Sequence, residues 1–253
     1  MLNFESVGSP TAIIKNNDSK RKGTGIFMSS PEEKDQIMHP FTEYELTNKE
    51  QKFELAVNDS IERQIIYVCG ASGSGKSYWT RNYVEEYKKI YKNRPVYLFS
   101  ALTEDDSIDK IKDLQRIALS KELITDELSS EDFKDSMIIF DDVDTVADRK
   151  IRKAILAIQA SILQTGRHHN VSCVITSHVC CNGAETRLVL NESHAIVFFK
   201  DAMPARSLHY LLNAYMGMDK QQIETIKRSN GRATIFVKSS PRVCITQSKI
   251  FML

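Results

Sequence analysis

The stretch Ile65–Ser77 reads IIYVCGASGSGKS and joins an apolar run directly to a glycine-rich turn. The turn, Gly70–Ser77, matches the pattern GxxxxGK[ST], in which glycines let backbone amides close around phosphate oxygens. An apolar strand precedes the turn and a helix follows it, so the helix amino terminus also faces the phosphates. The alternative is a glycine-rich turn with a solvated lysine, which does not require this setting. The stretch therefore predicts a phosphate-binding loop in an α/β domain.

The loop residues have predicted roles in binding ATP. Lys76 adds a positive charge, and the hydroxyl of Ser77 is a ligand for Mg²⁺. The predicted ATP-binding residues are Gly70, Ala71, Ser72, Gly73, Ser74, Gly75, Lys76 and Ser77. ATP and Mg²⁺ are therefore the expected cofactors.

A second apolar run, Met137–Phe140, ends in two carboxylates. Asp141 is predicted to hold Mg²⁺, directly or through water. Asp142 points to the other side of the strand and is predicted to polarise the attacking water. The alternative is a pair of turn aspartates that cap the next helix, a role that Asp144 or Asp148 also suits. After a phosphate-binding loop, the catalytic interpretation is favoured.

A third apolar run, VSCVITSH, ends in the polar residues Thr176, Ser177 and His178. If this strand lies between the other two, its polar end reaches the γ-phosphate or the attacking water. Ser177 or Thr176 is the predicted sensor, and Ser177 is counted with Lys76 and the two aspartates as catalytic. The role of His178 stays open between a hydrogen-bonded strand end and a functional group. A zinc site is not favoured, because four ligands at metal spacing are missing.

From residue 65 onward, apolar strands, turns and amphipathic helices alternate, which predicts an α/β fold with a mostly parallel sheet flanked by helices. The predicted strands are Ile65–Cys69, Val96–Ser100, Met137–Asp141, Val171–Ser177 and Ala195–Phe199. The predicted helices are Tyr78–Tyr91, Ile108–Leu119, Ile151–Leu163, Arg206–Tyr215 and Lys220–Lys227. Residues 1–60 form a small β-rich or partly extended N-terminal part, and residues 61–253 form the predicted ATPase domain. A C-terminal hairpin is expected from Ala233–Val237 and Val243–Thr246.

Composition narrows the function classes. A net charge of +1 over 253 residues argues against a surface that is basic everywhere, so any nucleic-acid contact must be local. The five cysteines form no CxxC pair, which favours a reducing compartment. The amino terminus lacks the pattern of a signal peptide, and no run of about 18 apolar residues is present. The chain is therefore expected neither to be secreted by a classical signal nor to span a membrane.

Three stretches together resemble the genome-packaging ATPases of large nucleocytoplasmic DNA viruses, the poxvirus-type relatives of the FtsK–HerA translocases. These stretches are GASGSGKS, MIIFDD, and TGRHHNVSCVITSH followed by ETRLVLNESHAIVFF. The first two belong to P-loop ATPases in general, and the third is more specific to this group. The resemblance runs from about Ile65 to the C-terminus. Two features depart from the family: Asp142 stands where many translocases have glutamate, and no DNA-guiding domain is recognisable at the C-terminus.

The resemblance implies a RecA-like P-loop NTPase core with an added strand between the two motif-bearing strands. It further implies a homo-oligomeric ring, a hexamer or a pentamer, that uses ATP to pump double-stranded DNA into a capsid. Capsid or virion assembly proteins are the other implied partners. The implied locations are the viral factory in the host-cell cytoplasm and the virion.

A basic cluster at the start of the third predicted helix is the candidate DNA contact. It consists of Arg149, Lys150, Arg152 and Lys153, which in a ring can touch backbone phosphates. The alternative is strong, because basic residues interleaved with an apolar Ile151 usually form the solvated face of an amphipathic helix.

An arginine supplied by a neighbouring subunit is also expected, because ring ATPases can stabilise transition-state charge in this way. Arg187, predicted to lie in the polar loop CCNGAETRL after the third apolar run, is preferred over Arg167 in QTGRHHN. The alternative is a surface ion pair with a carboxylate such as Glu185 or Glu192.

Two other functions use the same phosphate-binding loop. A nucleotide or small-molecule kinase would transfer the phosphate to a bound acceptor, but the acidic pair and the polar strand end speak against it. A switch-like assembly protein would bind ATP with only incidental turnover. DNA-stimulated hydrolysis without a phosphorylated product separates the motor from both.

Overall fold

The computed structural model of the chain describes residues 1–16 and 23–253. In chain order, its strands are β1 (Leu2–Asn3), β2 (Ser9–Asn16), β3 (Thr24–Met28), β4 (Glu43–Glu45), β5 (Gln51–Leu55), β6 (Ile65–Cys69), β7 (Val96–Ser100), β8 (Leu114–Arg116), β9 (Met137–Asp141), β10 (Ser172–Ser177), β11 (Ala195–Phe199), β12 (Ala233–Val237), β13 (Val243–Ile245) and β14 (Lys249–Met252). Its α-helices are α1 (Lys76–Ile90), α2 (Glu122–Thr125), α3 (Arg149–Thr165), α4 (Ala184–Glu192), α5 (Ala205–Tyr210) and α6 (Lys220–Arg228). Residues 17–22, within the N-terminal part predicted as β-rich or partly extended, lie outside the described residues.

The chain divides into two compact units. One unit is Glu62–Ile196, and the other combines Met1–Ile61 with Val197–Leu253. Residues 197–253, expected from the sequence as part of the ATPase domain, thus cluster with the N-terminal part.

The unit of residues 62–196 is built on parallel strands in the order β6-β10-β9-β7-β8. Strand β10 lies between β6, which precedes the phosphate-binding loop, and β9, which ends in the acidic pair. All five residues of β6 and of β9 are buried, as expected for parallel strands covered on both faces. The predicted α/β fold with an inserted central strand is confirmed.

Helices cover both faces of this sheet. On one face, the hydroxyl of Tyr87 in α1 lies 3.3 Å from the hydroxyl oxygen of Ser172 in β10. Three residues along, Ile175 points to the opposite face, where it lines a cavity of about 590 Å³ with Leu163 of α3 and Val189 of α4. Side-chain alternation along β10 therefore decides which helix each residue meets.

The predicted helix Ile108–Leu119 is wrong. A short 3₁₀ turn, Ile108–Lys110, is followed by β8, which pairs in parallel with β7. Asp113 between them has a left-handed φ of 59°, which a right-handed helix does not accommodate. Ile108 and Ile111 are buried. Their spacing therefore reflects burial of these side chains and not an α-helix.

The other unit is mainly antiparallel β-structure. Four of its N-terminal strands form a sheet in the order β1-β3-β2-β5, and its C-terminal strands, joined at the edge by the N-terminal β4, follow the order β4-β14-β13-β12. The predicted C-terminal hairpin is present as β12 and β13. The helix predicted over Arg206–Tyr215 is α5 followed by a π-helical turn, Leu211–Tyr215. Among the described residues, no helix has the length and apolar character required to cross a membrane.

Candidate active site

The phosphate-binding loop joins β6 to α1 and exposes the amino end of that helix. Gly75 precedes the helix with a φ of 112°, and none of the described side chains caps the first turn. Gly73 has a φ of 72°, a conformation that side chains rarely adopt, although a Cβ there would meet nothing within 4 Å. The loop therefore needs its glycines for backbone conformation, and it leaves amide donors at a positive helix terminus.

Lys76, the first residue of α1, lies in the interior of the site with only 6% of its side chain exposed. Its Nζ donates a hydrogen bond to the carbonyl oxygen of Gly70 at 3.0 Å. The same nitrogen lies 3.4 Å from Oδ2 of Asp142 and 3.4 Å from Nδ1 of His178. The lysine of the loop is thus already in contact with the second acid.

Asp141, the last residue of β9, is buried. Its Oδ2 accepts a hydrogen bond from the Ser100 hydroxyl and its Oδ1 lies within hydrogen-bonding distance of the Thr176 hydroxyl, both at 2.9 Å. Burial and the nearby Asp142 raise the pKa of Asp141, and the hydroxyl groups of Thr176 and Ser100 oppose that rise. A buried carboxylate with an unfavourable charge is suited to bind a cation.

Asp142 has a left-handed backbone with φ and ψ both at 43°, a strained conformation for a residue with a side chain. Its backbone N–H donates to Oγ1 of Thr176 at 2.9 Å, and its Oδ1 lies 3.0 Å from the same oxygen. The Thr176 hydroxyl has one hydrogen, so it donates to only one of the two carboxylates at a time.

These contacts follow from the parallel register of the strands. Ser100 pairs with Asp141 across β7 and β9, and Ser177 pairs with Cys69 across β10 and β6. Parallel strands end at the same edge of a sheet, so their terminal polar residues meet there. The carboxyl edge therefore assembles the site.

The residues at this edge fit a nucleotide with Mg²⁺. The Ser74 hydroxyl in the loop is buried and has no hydrogen-bond partner among the described residues, and the first-turn amides are uncapped. Both features suit an anion in the loop. Ser77 and Asp141 supply the hydroxyl and carboxylate oxygens that Mg²⁺ prefers.

Comparison with known proteins assigns the chain to a family. It is 32% identical over 243 residues to "Uncharacterized protein V3" of Sputnik virophage, which covers 95% of this chain and 94% of that protein. The chain belongs to the family of this virophage protein. No protein-family model matches the sequence.

Among solved structures, the chain is similar to the cytoplasmic domain of the Type VII secretion ATPase EccC from Thermomonospora curvata. The TM-score is 0.53 at 12% identity, over 82% of this chain and 28% of that chain. It is also similar to B204, the DNA-packaging ATPase from Sulfolobus turreted icosahedral virus, with a TM-score of 0.49 at 14% identity over 74% of this chain and 98% of that chain. The likeness to EccC shows a shared fold, in agreement with the predicted fold class.

At the end of β10, Thr176 contacts the acidic pair, whereas the Ser177 side chain does not. The Ser177 hydroxyl instead donates to the carbonyl of Val179 and accepts from its N–H, both at 3.1 Å. Sequence reasoning named both residues but counted Ser177 as catalytic. It missed Ser100 altogether, although the polar end of the predicted strand Val96–Ser100 was a usable signal.

The interpretation of the acidic pair as a helix cap is wrong. Asp148 caps α3, because its Oδ1 accepts from the backbone N–H groups of Lys150 at 2.8 Å and Ile151 at 3.2 Å. Asp141 and Asp142 make no side-chain cap in the described structure. Their side chains remain directed at Ser100, Thr176, Lys76 and His178.

The two candidate arginines lie in different environments. Arg167 pairs with Glu62, which raises the pKa of its guanidinium. Arg187 lies inside α4 rather than in a loop, and its exposed side chain makes no hydrogen bond or ion pair with the described residues. The surface ion pair that was weighed against both arginines is therefore present only at Arg167, with Glu62 as the partner.

The basic cluster occupies the first turns of α3. Arg149, Lys150 and Lys153 are exposed, whereas the Ile151 between them is buried. Arg152 is half-buried and donates to the carbonyl oxygen of Asp144 at 3.2 Å. Three of the four predicted DNA-contacting side chains thus face solvent.

Replacing the buried Asp141 by asparagine should stabilise the nucleotide-free protein. Burial raises the pKa of Asp141, so this carboxyl group loses its proton at a lower pH in the unfolded chain than in the folded protein. At neutral pH the ionised carboxylate therefore lowers the free energy of unfolding. We expect Asp141→Asn to raise the Tm at neutral pH by about 2 °C or more. This gain should disappear as the pH falls towards about 4, the ordinary pKa of aspartate.

The measurement is thermal unfolding of both proteins without nucleotide or Mg²⁺. Asp144→Asn is the matched control, because Asp144 is exposed and its replacement should leave the Tm unchanged. A Tm of Asp141→Asn at or below that of the wild type at neutral pH contradicts the expectation.

Proposed function

We propose that this chain is an ATP-hydrolysing motor that moves double-stranded DNA into a viral capsid. The observation that supports hydrolysis is the position of Asp142, a second carboxylate with Oδ2 3.4 Å from Nζ of Lys76. A hydrolase needs a base for water beside the γ-phosphate, whereas a kinase must present its acceptor there and exclude water. The packaging role is supported by the motif resemblance and by membership of a virophage protein family.

In this proposal, the backbone amides of Gly70–Ser77 bind the ATP phosphates, and Lys76 exchanges its contact with Asp142 for the phosphate oxygens. Ser77 and Asp141 would hold Mg²⁺, which would neutralise charge on the phosphates. Asp142 then orients and deprotonates the attacking water. ADP and phosphate are the products.

Thr176 is the proposed strand-end sensor. Its hydroxyl contacts both carboxylates, so a change in the charge beside either one alters which of them receives its hydrogen bond. The displacement of Lys76 towards phosphate is such a change, because it removes a positive charge from Asp142. The state of the nucleotide is thereby transmitted to β10 and the loop that follows it.

The proposed assembly is a ring of five or six copies that surrounds double-stranded DNA and works with capsid or virion assembly proteins. Its proposed locations are the viral factory in the host-cell cytoplasm and the virion. In the ring, Arg187 reaches the γ-phosphate of the neighbouring subunit. The exposed and unpaired state of Arg187 in the described residues supports its choice over the paired Arg167.

Two substitutions separate nucleotide binding from hydrolysis. Lys76→Ala removes a direct phosphate contact and should abolish ATP binding or lower turnover by about 100-fold or more. Asp142→Asn should keep ATP binding while turnover falls by about 100-fold, because an amide cannot accept a proton from water. Phosphate release and equilibrium ATP binding are the two measurements.

Asp144→Asn is the control for Asp142→Asn, because Asp144 is exposed and two residues away. The assignment of the base is wrong if Asp144→Asn stops hydrolysis and Asp142→Asn does not. Transfer of the phosphate to a small-molecule acceptor, in place of its release, would identify a kinase.

Duplex DNA should bind without sequence preference, and its affinity should fall steeply as the salt concentration rises, because the contacts are to backbone phosphates. The triple substitution of Arg149, Lys150 and Lys153 by alanine should reduce the slope of log K against log [salt] by about 2 to 3. It should also abolish stimulation of ATP hydrolysis by DNA. Fluorescence anisotropy over a salt series and ATPase assays with DNA provide the measurements.

The matched control removes the same charge from exposed Lys110, Lys112 and Lys121, and it should leave the slope unchanged. Equal slopes for the two triple variants would mean that the α3 cluster is a solvated helix face. Preference for one sequence by orders of magnitude would contradict a packaging motor.

Arg187→Ala should bind ATP but hydrolyse it about 1,000-fold more slowly, because the missing guanidinium stabilises transition-state charge. Mixing Arg187→Ala with Lys76→Ala subunits should restore part of the turnover, since one supplies an intact pocket and the other an intact arginine. Arg167→Ala is the control and should stay active, because Arg167 pairs with Glu62. Mixed assemblies that remain inactive would show that Arg187 does not act between subunits.

A further inference from the structure

His178 joins the phosphate-loop lysine to the second carboxylate. Its Nε2 lies 3.0 Å from Oδ2 of Asp142, and its Nδ1 lies 3.4 Å from Nζ of Lys76. The side chain is 34% exposed, so it lies at the surface of the site and not in the packed core.

The partners of the two ring nitrogens select one tautomer. A carboxylate only accepts hydrogen bonds and an ammonium group only donates them. Nε2 must therefore have the proton that Asp142 accepts, and Nδ1 must offer its lone pair to Lys76. In this arrangement Nε2 is the donor of the ring and Nδ1 is its acceptor.

With these contacts, every oxygen of the Asp142 carboxylate has a partner. Oδ2 contacts Nε2 of His178 and Nζ of Lys76, and Oδ1 lies beside the hydroxyl of Thr176. Lys76 has three hydrogens for its three contacts, with Gly70, Asp142 and His178, so in the proposed function it binds phosphate by exchanging its contact with Asp142. After that exchange, His178 and Thr176 are the remaining donors that orient Asp142.

The loop that follows β10 holds His178 in place from both sides. The preceding Ser177 hydroxyl bonds both backbone groups of Val179 at 3.1 Å, and the hydroxyl of Tyr67 donates to the Val179 carbonyl at 2.6 Å. Tyr67 lies in β6, which leads into the phosphate-binding loop. A histidine fixed in this way is preorganised for the contact with Asp142.

We propose that His178 is a positioning residue for hydrolysis: it holds the Asp142 carboxylate towards the attacking water once Lys76 has moved to the ATP phosphates. The proposal rests on the proposed ATP hydrolysis and on Asp142 as its base. His178 acts through Asp142 and not on the phosphates, so its loss lowers the rate of the chemical step more than the affinity for ATP.

Steady-state kinetics with two substitutions test this role. His178→Ala should lower kcat by about 10- to 100-fold and change KM by less than about 3-fold. His178→Gln retains an N–H donor that can reach Asp142 and should recover most of the lost kcat. The control, His168→Ala, removes an exposed histidine from the turn before β10 and should match the wild type.

A double-substitution cycle shows whether His178 acts through Asp142. Once Asp142→Asn has removed the base, adding His178→Ala should lower kcat by less than about 2-fold, because coupled groups are not additive. The proposal would be overturned if His178→Ala lowered kcat as much in Asp142→Asn as in the wild type. A kcat of His178→Ala within about 2-fold of the wild-type value would also overturn it.

Nitrogen NMR of protein with ¹⁵N-labelled histidine tests the contact without relying on turnover. The His178 signal is identified by its absence in His178→Gln. We expect the Nε2–H tautomer in the nucleotide-free protein and a shift of the Nε2 signal in Asp142→Asn. Adding Mg²⁺ and a non-hydrolysable ATP analogue should shift the Nδ1 signal, because Lys76 leaves it.

An Nδ1–H tautomer, or an Nε2 signal that does not shift in Asp142→Asn, would overturn the proposal even if the protein hydrolyses ATP. A wild-type protein that binds and hydrolyses no ATP would refute the proposed function instead, and the positioning role with it. The two failures are therefore distinguishable.

Discussion

The hydroxyl of Thr176 lies within hydrogen-bonding distance of both carboxylates at the end of β9, and it has a single hydrogen to donate. Two neighbouring negative charges with one shared donor need further partners, or one of them takes up a proton. Ser100 supplies a partner to Asp141, and Lys76 and His178 supply partners to Asp142. The composition of the site follows from this requirement, because each of its polar groups compensates part of the charge on the acidic pair.

Sheet register is what makes the shared donor possible. Strand β10 lies between β6 and β9. Its carboxyl end therefore lies between the phosphate-binding loop, which follows β6, and the acidic pair, which begins at the last residue of β9. A shift of one residue would turn Thr176 to the face of α3 and α4 and bring Ser177 to the carboxylates. Parallel pairing on both sides, with β6 from Cys173 to Ser177 and with β9 from Ser172 to Ile175, fixes the register of β10.

The same site holds several features that are unfavourable in the absence of a ligand. Asp141 is buried with a raised pKa, Asp142 has a left-handed backbone, and the Ser74 hydroxyl lacks a partner among the described residues. Such features persist where the surrounding structure enforces them, and they are typical of preorganised sites. Here the enforcement comes from the strands of a sheet buried on both faces, which leave the site little freedom to relax.

The sequence alone determined the phosphate-binding loop, the acidic pair and the strands that lead into them, because these depend on local patterns of apolar residues, glycines and charges. It also indicated the parallel α/β class, although the helical spacing of Ile108 and Ile111 was misleading, since burial beside β8 satisfies the same apolar positions. Only the tertiary structure chose Thr176 over Ser177, added Ser100 and joined His178 to Asp142 and Lys76. These choices depend on strand register and side-chain direction between segments far apart in the chain, and a sequence pattern contains no information on either until the strands are paired.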